Sequence, residues 1–500
     1  MSRRSVGAVV AVLAGAAAAA LGSQVPVFGA VPEGRTVTPA AAVVRLVCPG
    51  AVVEVGADGG TANAVTAVGS PRRTSGTPGG ASSTTAPRTA RLSDGPIVGT
   101  RASAPRLVSG GPTVVAAQSQ VVTTGDATGF AASACRAPGT GAWFAAGATS
   151  TGRVQVLLLT NASRVAASVT TAVWTERGPV AGSTGAVQVP ARSTRAVPVA
   201  SLAPGAAAVA LHVTSTGGLI TASVEQRVVR GLESGGVDLS GATIAPATVQ
   251  VIPGVRILHG SAVAAASGEQ DSGDLAPVAR VLVPGSADAD VRVTAVGADG
   301  VAGGAAVARH VDAGTVTDIP LGGLTDGTFT VTMRSTRPLI AAVRAAVINA
   351  GVQATNTQAT SAQAANGGSA TASSGTEVGI DGATTAPVTG SGRGIDIAWF
   401  VAAPELGGAT SVAVPDGPAA LLSLTNPTTA AAHVTLAGAT GTTVDVPAGR
   451  TIAVPVSDGV LTVAGTAGLR GALSWAGPGA LAGLPLQPAA PAARAVHVTG

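Results

Sequence analysis

Apolar and polar side chains alternate over short runs along most of the chain. The runs are rich in valine and threonine and are bounded by glycine, proline, serine and asparagine, as in VQVLLLTN (154–161) and ASVTTAVWT (167–175). A period of two predicts β-strands, and turn signals at intervals of about 8–12 residues favour antiparallel β-sandwiches. Apart from the N-terminal segment, no window of about 15 residues combines helical spacing with a credible N-cap and stop. The pattern therefore predicts an all-β protein.

Several short motifs recur in the same order, which indicates a repeated unit. The first copy lies in the first half of the chain and the second near its end, and a weaker similarity marks a unit between them. The similar segments are GAWFAA (141–146) and AWFVA (398–402), LLLTNAS (157–163) and LSLTNPT (422–428), VPARSTRAVPV (189–199) and VPAGRTIAVPV (446–456), and STGGLITASV (215–224) and STRPLIAAVR (335–344).

The repeats predict three to four tandem immunoglobulin-like, antiparallel β-sandwich units with low-complexity inserts. An N-terminal β unit is expected over 31–140, and β-sandwich repeats over 141–245, 246–350 and 396–500. A low-complexity insert is expected within 69–110 and a flexible linker over 351–395; their central stretches, 69–95 and 356–379, are rich in Ser, Thr, Gly and Ala and hold almost no large apolar side chains. Such segments cannot offset the entropy lost on ordering, so both are expected to be mobile.

The N-terminal segment has the pattern of an export signal. Arg3 and Arg4 precede the apolar run VGAVVAVLAGAAAAALG (6–22), as a basic region precedes the apolar core of a signal peptide. Residues 1–30 are expected to be a signal peptide or, if uncleaved, a transmembrane signal-anchor. The protein is therefore expected to be extracytoplasmic, either secreted or tethered to the cell membrane.

Composition limits the core and the partners. Hydrophobic residues make up 46% of the chain, aromatic residues 2% and charged residues 11%, and the sequence has no lysine or tyrosine. The cores must therefore be built from valine, leucine and isoleucine. The formal net charge is +4, but the arginines are scattered and are not interleaved with aromatic residues. This pattern argues against nucleic-acid binding.

The two cysteines, Cys48 and Cys135, are an even pair in a chain that is expected to enter an oxidising compartment. A single disulfide is the default interpretation, with a free reactive thiol as the alternative. Two cysteines alone cannot form a four-ligand zinc site.

No catalytic motif stands out, and no cofactor or metal is expected. The sequence lacks a Gly-x-Ser-x-Gly nucleophile elbow, and without lysine it can form neither a P-loop nor a Schiff base. The histidines are spread over several units with no i, i+4 pair, and nothing pairs the carboxylates that a glycosidase would need. The histidines are His212, His259, His310, His433 and His497. The candidate carboxylates are Glu176, Glu225, Asp396 and Glu405.

Two further motifs have a structural and a functional interpretation. Asp288 and Asp290 could bind calcium at a sandwich edge, but the EF-hand pattern is missing and a polar turn is favoured. The tripeptide Asn161-Ala162-Ser163 matches the N-glycosylation sequon.

The repeated Trp-Phe pairs are the main candidates for a ligand site. Trp143 and Phe144, and likewise Trp399 and Phe400, could form platforms that stack on sugar rings. Neighbouring residues in a strand point to opposite faces, so one ring of each pair would enter the core. Packing in the core and between domains is favoured, because a core of small aliphatic residues needs a few large side chains.

Several of these motifs together resemble a known family. CRAPGTGAWFAAGAT (135–149), LLLTN, VPARSTRAVPV, HVTSTGGLITASV and VCPG (47–50) are similar to large exported actinobacterial proteins that share domain of unknown function 5719. The similarity covers residues 43–498. It implies a secreted or membrane-tethered β-rich protein and a bond between Cys48 and Cys135. It supplies no accepted activity and no catalytic residues.

We therefore expect a non-catalytic exported protein of the cell envelope that acts as a scaffold or adhesion module. The alternative is a cell-wall polysaccharide-binding protein that uses the Trp-Phe pairs, and an envelope hydrolase is the least favoured class. The expected partners are envelope proteins or glycans, and the membrane if the N-terminal segment stays uncleaved.

Overall fold

The computed structural model describes residues 35–37, 43–56, 65–78, 87–92, 97–98, 103–124, 127–182, 185–231, 233–304, 306–349, 394–438, 441–488 and 496–498. The chain divides into two compact units. In one of them, strand β1 (Arg35–Val37) pairs antiparallel with the last strand, β35 (Val496–Val498). The other unit, within residues 43–490, contains every further element that is described. The predicted signal segment, 1–30, lies outside the described residues.

Three small sheets form the N-terminal β unit. Their orders are β2-β8-β6, β5-β9-β10 and β3-β4-β7, and β4 and β7 run parallel. The strands are β2 (Val44–Cys48), β3 (Val53–Val55), β4 (Val65–Ala67), β5 (Arg72–Gly76), β6 (Arg88–Arg91), β7 (Ile97–Val98), β8 (Arg106–Gly110), β9 (Val115–Thr124) and β10 (Ala127–Ala134).

The segment 69–110 therefore differs from the mobile insert that the sequence predicts, since it supplies four of these strands, β5 to β8. All four side chains of β6 are exposed, yet β6 pairs with β8 from Arg88 to Arg91. Ladder hydrogen bonds satisfy the backbone whatever the side chains are, so a run without apolar residues can still add a strand. The composition argument considers side-chain burial alone and misses this contribution.

The first β-sandwich contains two sheets, of order β11-β17-β13-β15 and β16-β12-β18-β19, and β14 also pairs with β13. Its strands are β11 (Gly141–Phe144), β12 (Arg153–Asn161), β13 (Ala167–Thr175), β14 (Gly178–Pro179), β15 (Val187–Val189), β16 (Ser193–Pro198), β17 (Val209–Gly217), β18 (Ile220–Arg230) and β19 (Glu233–Ser240). A short 3-10 helix, Val199–Ser201, follows β16.

The middle sandwich repeats this order, as β20-β25-β22-β23 and β24-β21-β25-β26. The 22-residue strand β25 serves both sheets, so it takes the place of β17 and β18, which lie in different sheets of the first sandwich. The elements are β20 (Ala247–Ile257), helix α1 (Gly260–Ser267), a 3-10 helix (Gly273–Leu275), β21 (Val278–Leu282), β22 (Ala289–Gly297), β23 (Val307–Val311), β24 (Val316–Pro320), β25 (Gly327–Ile348) and β26 (Ile395–Val401).

The last sandwich has the same order once more, as β27-β32-β29-β30 and β31-β28-β33-β34. Its strands are β27 (Ala409–Val414), β28 (Leu421–Thr425), β29 (Ala432–Ala437), β30 (Thr442–Val446), β31 (Thr451–Pro455), β32 (Gly459–Ala464), β33 (Arg470–Gly477) and β34 (Ala480–Pro485). The inner strands of the N-terminal unit follow the same plan, because β2-β8-β6 and β5-β9-β10 match β11-β17-β13 and β12-β18-β19. The predicted all-β fold of repeated sandwich-like units is confirmed.

One predicted boundary is corrected. Strand β26 pairs along its whole length with β25, from Ile395 opposite Ile348 to Val401 opposite Ala342. Residues 395–401 therefore close the middle sandwich, whereas the sequence analysis assigns 396–401 to the last repeat. The linker predicted at 351–395 lies outside the described residues up to 393. Among the described residues, no helix combines the length and the apolar character that crossing a membrane requires.

Small aliphatic side chains fill the cores, and the main core of each of the three sandwiches contains one or two large rings. Phe144 lies in the first sandwich, Phe329 and Phe400 in the middle one, and Trp475 with Phe130 in the last. Phe130 comes from β10 of the N-terminal unit, so the core of the last sandwich continues into that unit. The strands that close the four units, β10, β19, β26 and β34, contact one another.

Candidate functional site

A buried carboxylate joins the four closing strands. Asp396 lies in β26, and its side chain accepts hydrogen bonds from the backbone N–H groups of Phe130 in β10 (2.8 Å), Val237 in β19 (3.0 Å) and Leu481 in β34 (2.8 Å). The N–H of Ile397 adds a contact from its own strand. One side chain therefore ties together the backbones of all four β units.

Glycine makes room for this carboxylate. A Cβ atom on Gly129 would lie 2.2 Å from Asp396 Oδ1, and one on Gly236 would lie 2.8 Å from Asp396 Cα. Both glycines have positive φ values, +152° and +113°, a conformation that side chains with a Cβ rarely adopt. The N-terminal unit and the first sandwich therefore each leave a gap that Asp396 fills.

Burial raises the pKa of Asp396 well above its usual range, and the N–H groups around it oppose this by favouring the carboxylate. Each of these N–H groups would lose its acceptor without the side chain, at a cost of about 1–3 kcal/mol per group. The carboxylate is completely enclosed. Its arrangement is that of a structural anchor.

Two more buried carboxyls lie near this anchor. Asp238 in β19 accepts from the hydroxyl of Ser240 and from the backbone N–H of Trp399 (3.1 Å), and burial raises its pKa to about 7. Glu225 in β18 accepts from the N–H of Val53 (2.8 Å), and burial raises its pKa to about 8. Both link the first sandwich to another unit.

Trp399 is buried between the first and middle sandwiches. Only 1% of it is exposed, and its indole N–H donates to Gln226 Oε1 (2.6 Å). The guanidinium carbon of Arg280 lies 4.5 Å from the centre of the ring and that of Arg344 lies 5.6 Å away. Both distances fall within the range of cation–π attraction.

Arg280 is itself an inter-domain contact. Its side chain is fully buried and binds both carboxylate oxygens of Asp318, at 2.7 and 2.8 Å. A remaining N–H donates to the carbonyl of Gly147 in the first sandwich. Arg280 therefore connects the first sandwich, through Gly147, to the ring of Trp399 in the middle sandwich.

The Trp-Phe pair in β11, Trp143 and Phe144, has a different environment from that of Trp399. Phe144 is completely buried, whereas Trp143 is half-buried on the outer face of its sheet. The Trp143 ring stacks on His212, with centres 3.8 Å apart and planes 6° apart, and lies 5.7 Å from the ring of Trp174. Of the four aromatic residues proposed from the sequence, Phe144, Trp399 and Phe400 are buried, and Trp143 alone reaches solvent.

Trp143 lines an open cleft of about 550 Å³ between the first and middle sandwiches. The opposite wall consists of Arg337, Pro338 and the loop 283–287. Burial lowers the pKa of His212, so the imidazole that stacks on Trp143 favours its neutral form. The cleft therefore offers an aromatic edge and one exposed cation.

The remaining histidines do not converge. His259 begins helix α1, His433 pairs with Asp445 (2.6 Å), and His497 lies in β35. His310 Nδ1 and Asp290 Oδ1 form a hydrogen bond (2.9 Å), and this bond is the main cause of the raised pKa of His310.

Asp288, His310 and Asp312 form the group of possible metal ligands among the described residues, and all three are exposed. The two ring nitrogens of His310 already face carboxylates, Asp290 at 2.9 Å and Asp288 at 3.7 Å. These contacts account for the position of the imidazole, and Asp288 immediately precedes β22 while Asp290 lies within it.

The other carboxylates considered from the sequence each have a separate partner. Glu176 contacts Arg177 (2.7 Å) and accepts from the N–H of Ala208, and Glu405 contacts Arg470 (3.2 Å). Neither makes a contact with Glu225 or Asp396. The structure does not bring two of these carboxylates together in a cleft.

The asparagine of the sequon is a structural residue. Asn161 is fully buried, and its amide donates to the carbonyls of Val165 (2.8 Å) and Val189 (3.0 Å). Asn426 makes the equivalent bonds in the last sandwich, to Ala430 (2.8 Å) and Val446 (2.9 Å). The repeated Leu-Thr-Asn motif therefore encodes a turn that ties two strands together.

The predicted disulfide between Cys48 and Cys135 is confirmed, and it closes a loop of 87 residues. It joins β2 to the residue after β10, so it links the two ends of the N-terminal unit. By the chain-entropy relation such a loop contributes about 4 kcal/mol.

Sequence reasoning missed Asp238 and the arginine pair around Trp399. Asp238 stands in GGVDLS, where an acid interrupts a run that is otherwise small or apolar, and Asp396 stands in the similar run GIDIAW. A lone acid that follows glycine inside an apolar strand was therefore an available signal. No comparable signal marks Arg280 or Arg344, because their contacts come from distant parts of the chain.

The sequence profile of a family of unknown function (DUF5719) matches residues 90–387, and the chain belongs to this family. The match confirms the resemblance found from the motifs. It spans the end of the N-terminal unit, the first sandwich and most of the middle one, whereas the last sandwich lies beyond it. No curated protein matches the chain.

Proposed function

We propose that this protein is a non-catalytic, exported protein of the cell envelope that serves as a rigid scaffold and interaction module. The observation that carries the proposal is the Asp396 anchor, which binds the backbones of β10, β19 and β34 from its place in β26. Units fixed to one another through their centres present their outer faces in a constant arrangement. A scaffold needs such an arrangement, whereas a chain of flexibly linked domains lacks it.

Other contacts support the same role. The buried polar groups Glu225, Asp238 and Arg280 each bind a residue of another unit. The Cys48–Cys135 bond agrees with an oxidising compartment. These buried polar groups therefore join the units through hydrogen bonds.

The test is to express the full chain with a C-terminal tag in an actinobacterial host and to fractionate the cells. We expect the tagged protein in the envelope or the medium, with Cys48 and Cys135 protected from alkylation until a reductant is added. Recovery in the cytoplasm with free thiols would contradict export. Release of soluble sugars or peptides from purified cell walls by the purified protein would contradict a non-catalytic role.

A second function, binding of a neutral wall polysaccharide, is supported by the half-buried stack of Trp143 on His212 beside an open cleft. Fluorescence titration with soluble wall polysaccharide tests it. Trp143→Ala should abolish binding, whereas Val165→Ala, at an exposed valine of the same sandwich, should leave it unchanged. Equal binding by native protein and Trp143→Ala would reject this second function.

A further inference from the structure

Two arginines face each other on the outer surface of the middle sandwich. Arg292 in β22 lies directly opposite Arg334 in β25, and both side chains are exposed. Like charges at directly opposed positions of a sheet are destabilising. Within the described part of the chain, neither guanidinium has a hydrogen-bond or ion-pair partner that would offset this repulsion.

The other two sandwiches show that the fold does not require this pair. In the first sandwich the equivalent residues are Thr170 and Thr214, whose hydroxyls hydrogen-bond at 2.6 Å. In the last sandwich Thr435 lies opposite Ala464. The same register position is neutral in both.

A conserved position in the three sandwiches shows that Thr170, Arg292 and Thr435 are equivalent. Two residues before each of them, a side chain makes a polar contact with the neighbouring strand. It joins Ser168 to Gln188 (3.0 Å) in the first sandwich, Asp290 to His310 (2.9 Å) in the middle one, and His433 to Asp445 (2.6 Å) in the last. The three contacts occupy matching positions of β13 and β15, β22 and β23, and β29 and β30. The arginine pair is therefore a specific feature of the middle unit.

The surroundings of the pair favour an anionic ligand. Arg292 and Arg334 line an open cleft of about 480 Å³ together with Arg309, His310 and Asp290. Asp290 is the acid among these residues, and it is already in contact with His310. Positive charge is therefore in excess across the cleft.

Guanidinium groups bind the oxygens of phosphate, sulfate and carboxylate through paired hydrogen bonds. The hydroxyls of Ser335 and Thr336 lie at the same edge of the cleft. Trp, Tyr and Phe are absent from the residues that line it, so it lacks the large aromatic surfaces on which single-stranded nucleic acids stack. An acidic, hydroxyl-rich ligand fits better.

We propose that Arg292 and Arg334 form a binding site for the anionic groups of an acidic glycan. The proposal rests on the interaction role proposed above and names its ligand class. It places the interaction on the outer face of the β20-β25-β22-β23 sheet, at residues other than those that line the cleft of Trp143.

Binding of the full chain to immobilised dextran sulfate, with neutral dextran as the reference, tests the proposal. Arg292→Gln and Arg334→Gln should each weaken binding by about tenfold or more, because each removes a charge-assisted contact. The double variant should bind no better than native protein binds neutral dextran. Binding of native protein should weaken as salt is added.

The matched control is the double variant Arg45→Gln, Arg195→Gln. Both residues are exposed and lie on other sheets, and their replacement removes the same net charge. Native-like affinity of this control, with loss in the Arg292/Arg334 variant, would support the site. An equal loss in both variants, or no binding of dextran sulfate by native protein, would overturn it.

Two competitors identify the ligand class. Inorganic phosphate or single-stranded DNA that displaces the polymer at equal concentration of anionic groups would overturn the assignment to a glycan. Association of the native protein with cell walls that survives in the Arg292/Arg334 variant would reject the site and leave the proposed envelope role intact.

Discussion

The two Trp-Phe pairs have nearly the same sequence and occupy different places in the fold. Trp143 and Phe144 lie in β11, the first strand of a sandwich, whereas Trp399 and Phe400 lie in β26, the last strand of another. In the first pair one ring enters the core and the other is half-exposed. In the second pair both rings are buried. Similar short sequence motifs therefore do not mark equivalent positions in the fold.

The difference comes from what covers the second face of each strand. The outer face of β11 looks towards the cleft that Trp143 lines. Strand β26 packs against β19 and β34, and all seven of its residues are buried. Alternation of apolar and polar residues predicts one buried and one exposed face when one side of a sheet faces solvent. This prediction fails for β26, because strands of other sheets cover both of its faces.

Replacement of Trp399 by alanine should produce the largest effect. The change leaves a cavity and deprives Gln226 of its donor, so we expect a loss of about 3–5 kcal/mol in the free energy of unfolding. Chemical denaturation followed by circular dichroism measures it. Trp399→Phe, which keeps a ring beside Arg280 and Arg344, should lose clearly less. A loss below about 1 kcal/mol in Trp399→Ala would show that the two pairs are energetically alike.

Asp396→Ala should come next, with a loss of about 3 kcal/mol, because three backbone N–H groups on three strands lose their acceptor. Denaturant midpoints of the variant and native protein give the value. Asp416→Ala is the matched control, since Asp416 forms an exposed pair with Arg72 (2.6 Å) that is worth about 0–1 kcal/mol. Equal losses in the two variants would refute the role of Asp396 as the central anchor.

The surroundings of Trp399 should also give the protein a pH-dependent stability. The pKa values of Asp238 and Glu225 are raised to about 7 and about 8 in the folded protein. From about pH 4 to about pH 8 the folded state therefore holds protons that the unfolded chain has released. The free energy of unfolding should fall as the pH rises through this window, by at most about 1.4 kcal/mol per pH unit for each carboxyl.

Urea denaturation at pH 5, 6, 7 and 8 measures this slope. Glu225→Gln should flatten it, because the variant removes one of the buried carboxyls whose pKa is raised, whereas Val165→Ala, at an exposed valine, should leave the slope unchanged. A free energy of unfolding that rises from pH 5 to pH 8 would contradict the assignment.

Trp143→Ala should have the smallest effect, a loss of about 1 kcal/mol, because it removes stacking on His212 and Trp174 at a half-buried site. Its neighbour Phe144 is the internal comparison, and Phe144→Ala should cost about 3–5 kcal/mol. Thermal or chemical denaturation of the two variants side by side decides the point. Equal losses would mean that Trp143 is a core residue like the others.

Local pattern was a good guide where the interaction was local or was repeated in register. The Leu-Thr-Asn motif recurred because Asn161 and Asn426 make the same turn, and the buried valines Val189, Val311 and Val446 follow the same polar contact in each sandwich. The cysteine pair was identifiable because the sequence contains only two cysteines. The arginine pair was not, because Arg292 and Arg334 become neighbours only when β22 pairs with β25.

The sequence by itself determined the class of fold, the repeated strand order, the disulfide and the family, since each depends on periodicity, composition or motifs within a few tens of residues. Only the tertiary structure decided that β26 belongs to the middle sandwich, that Trp399 is buried between arginines, and that Asp396 binds the backbones of three other units. These features depend on contacts between residues that are far apart in the sequence, from Ile348 with Ile395 to Phe130 with Asp396. A pattern along the chain describes how each strand can be buried, but not which distant strand covers it.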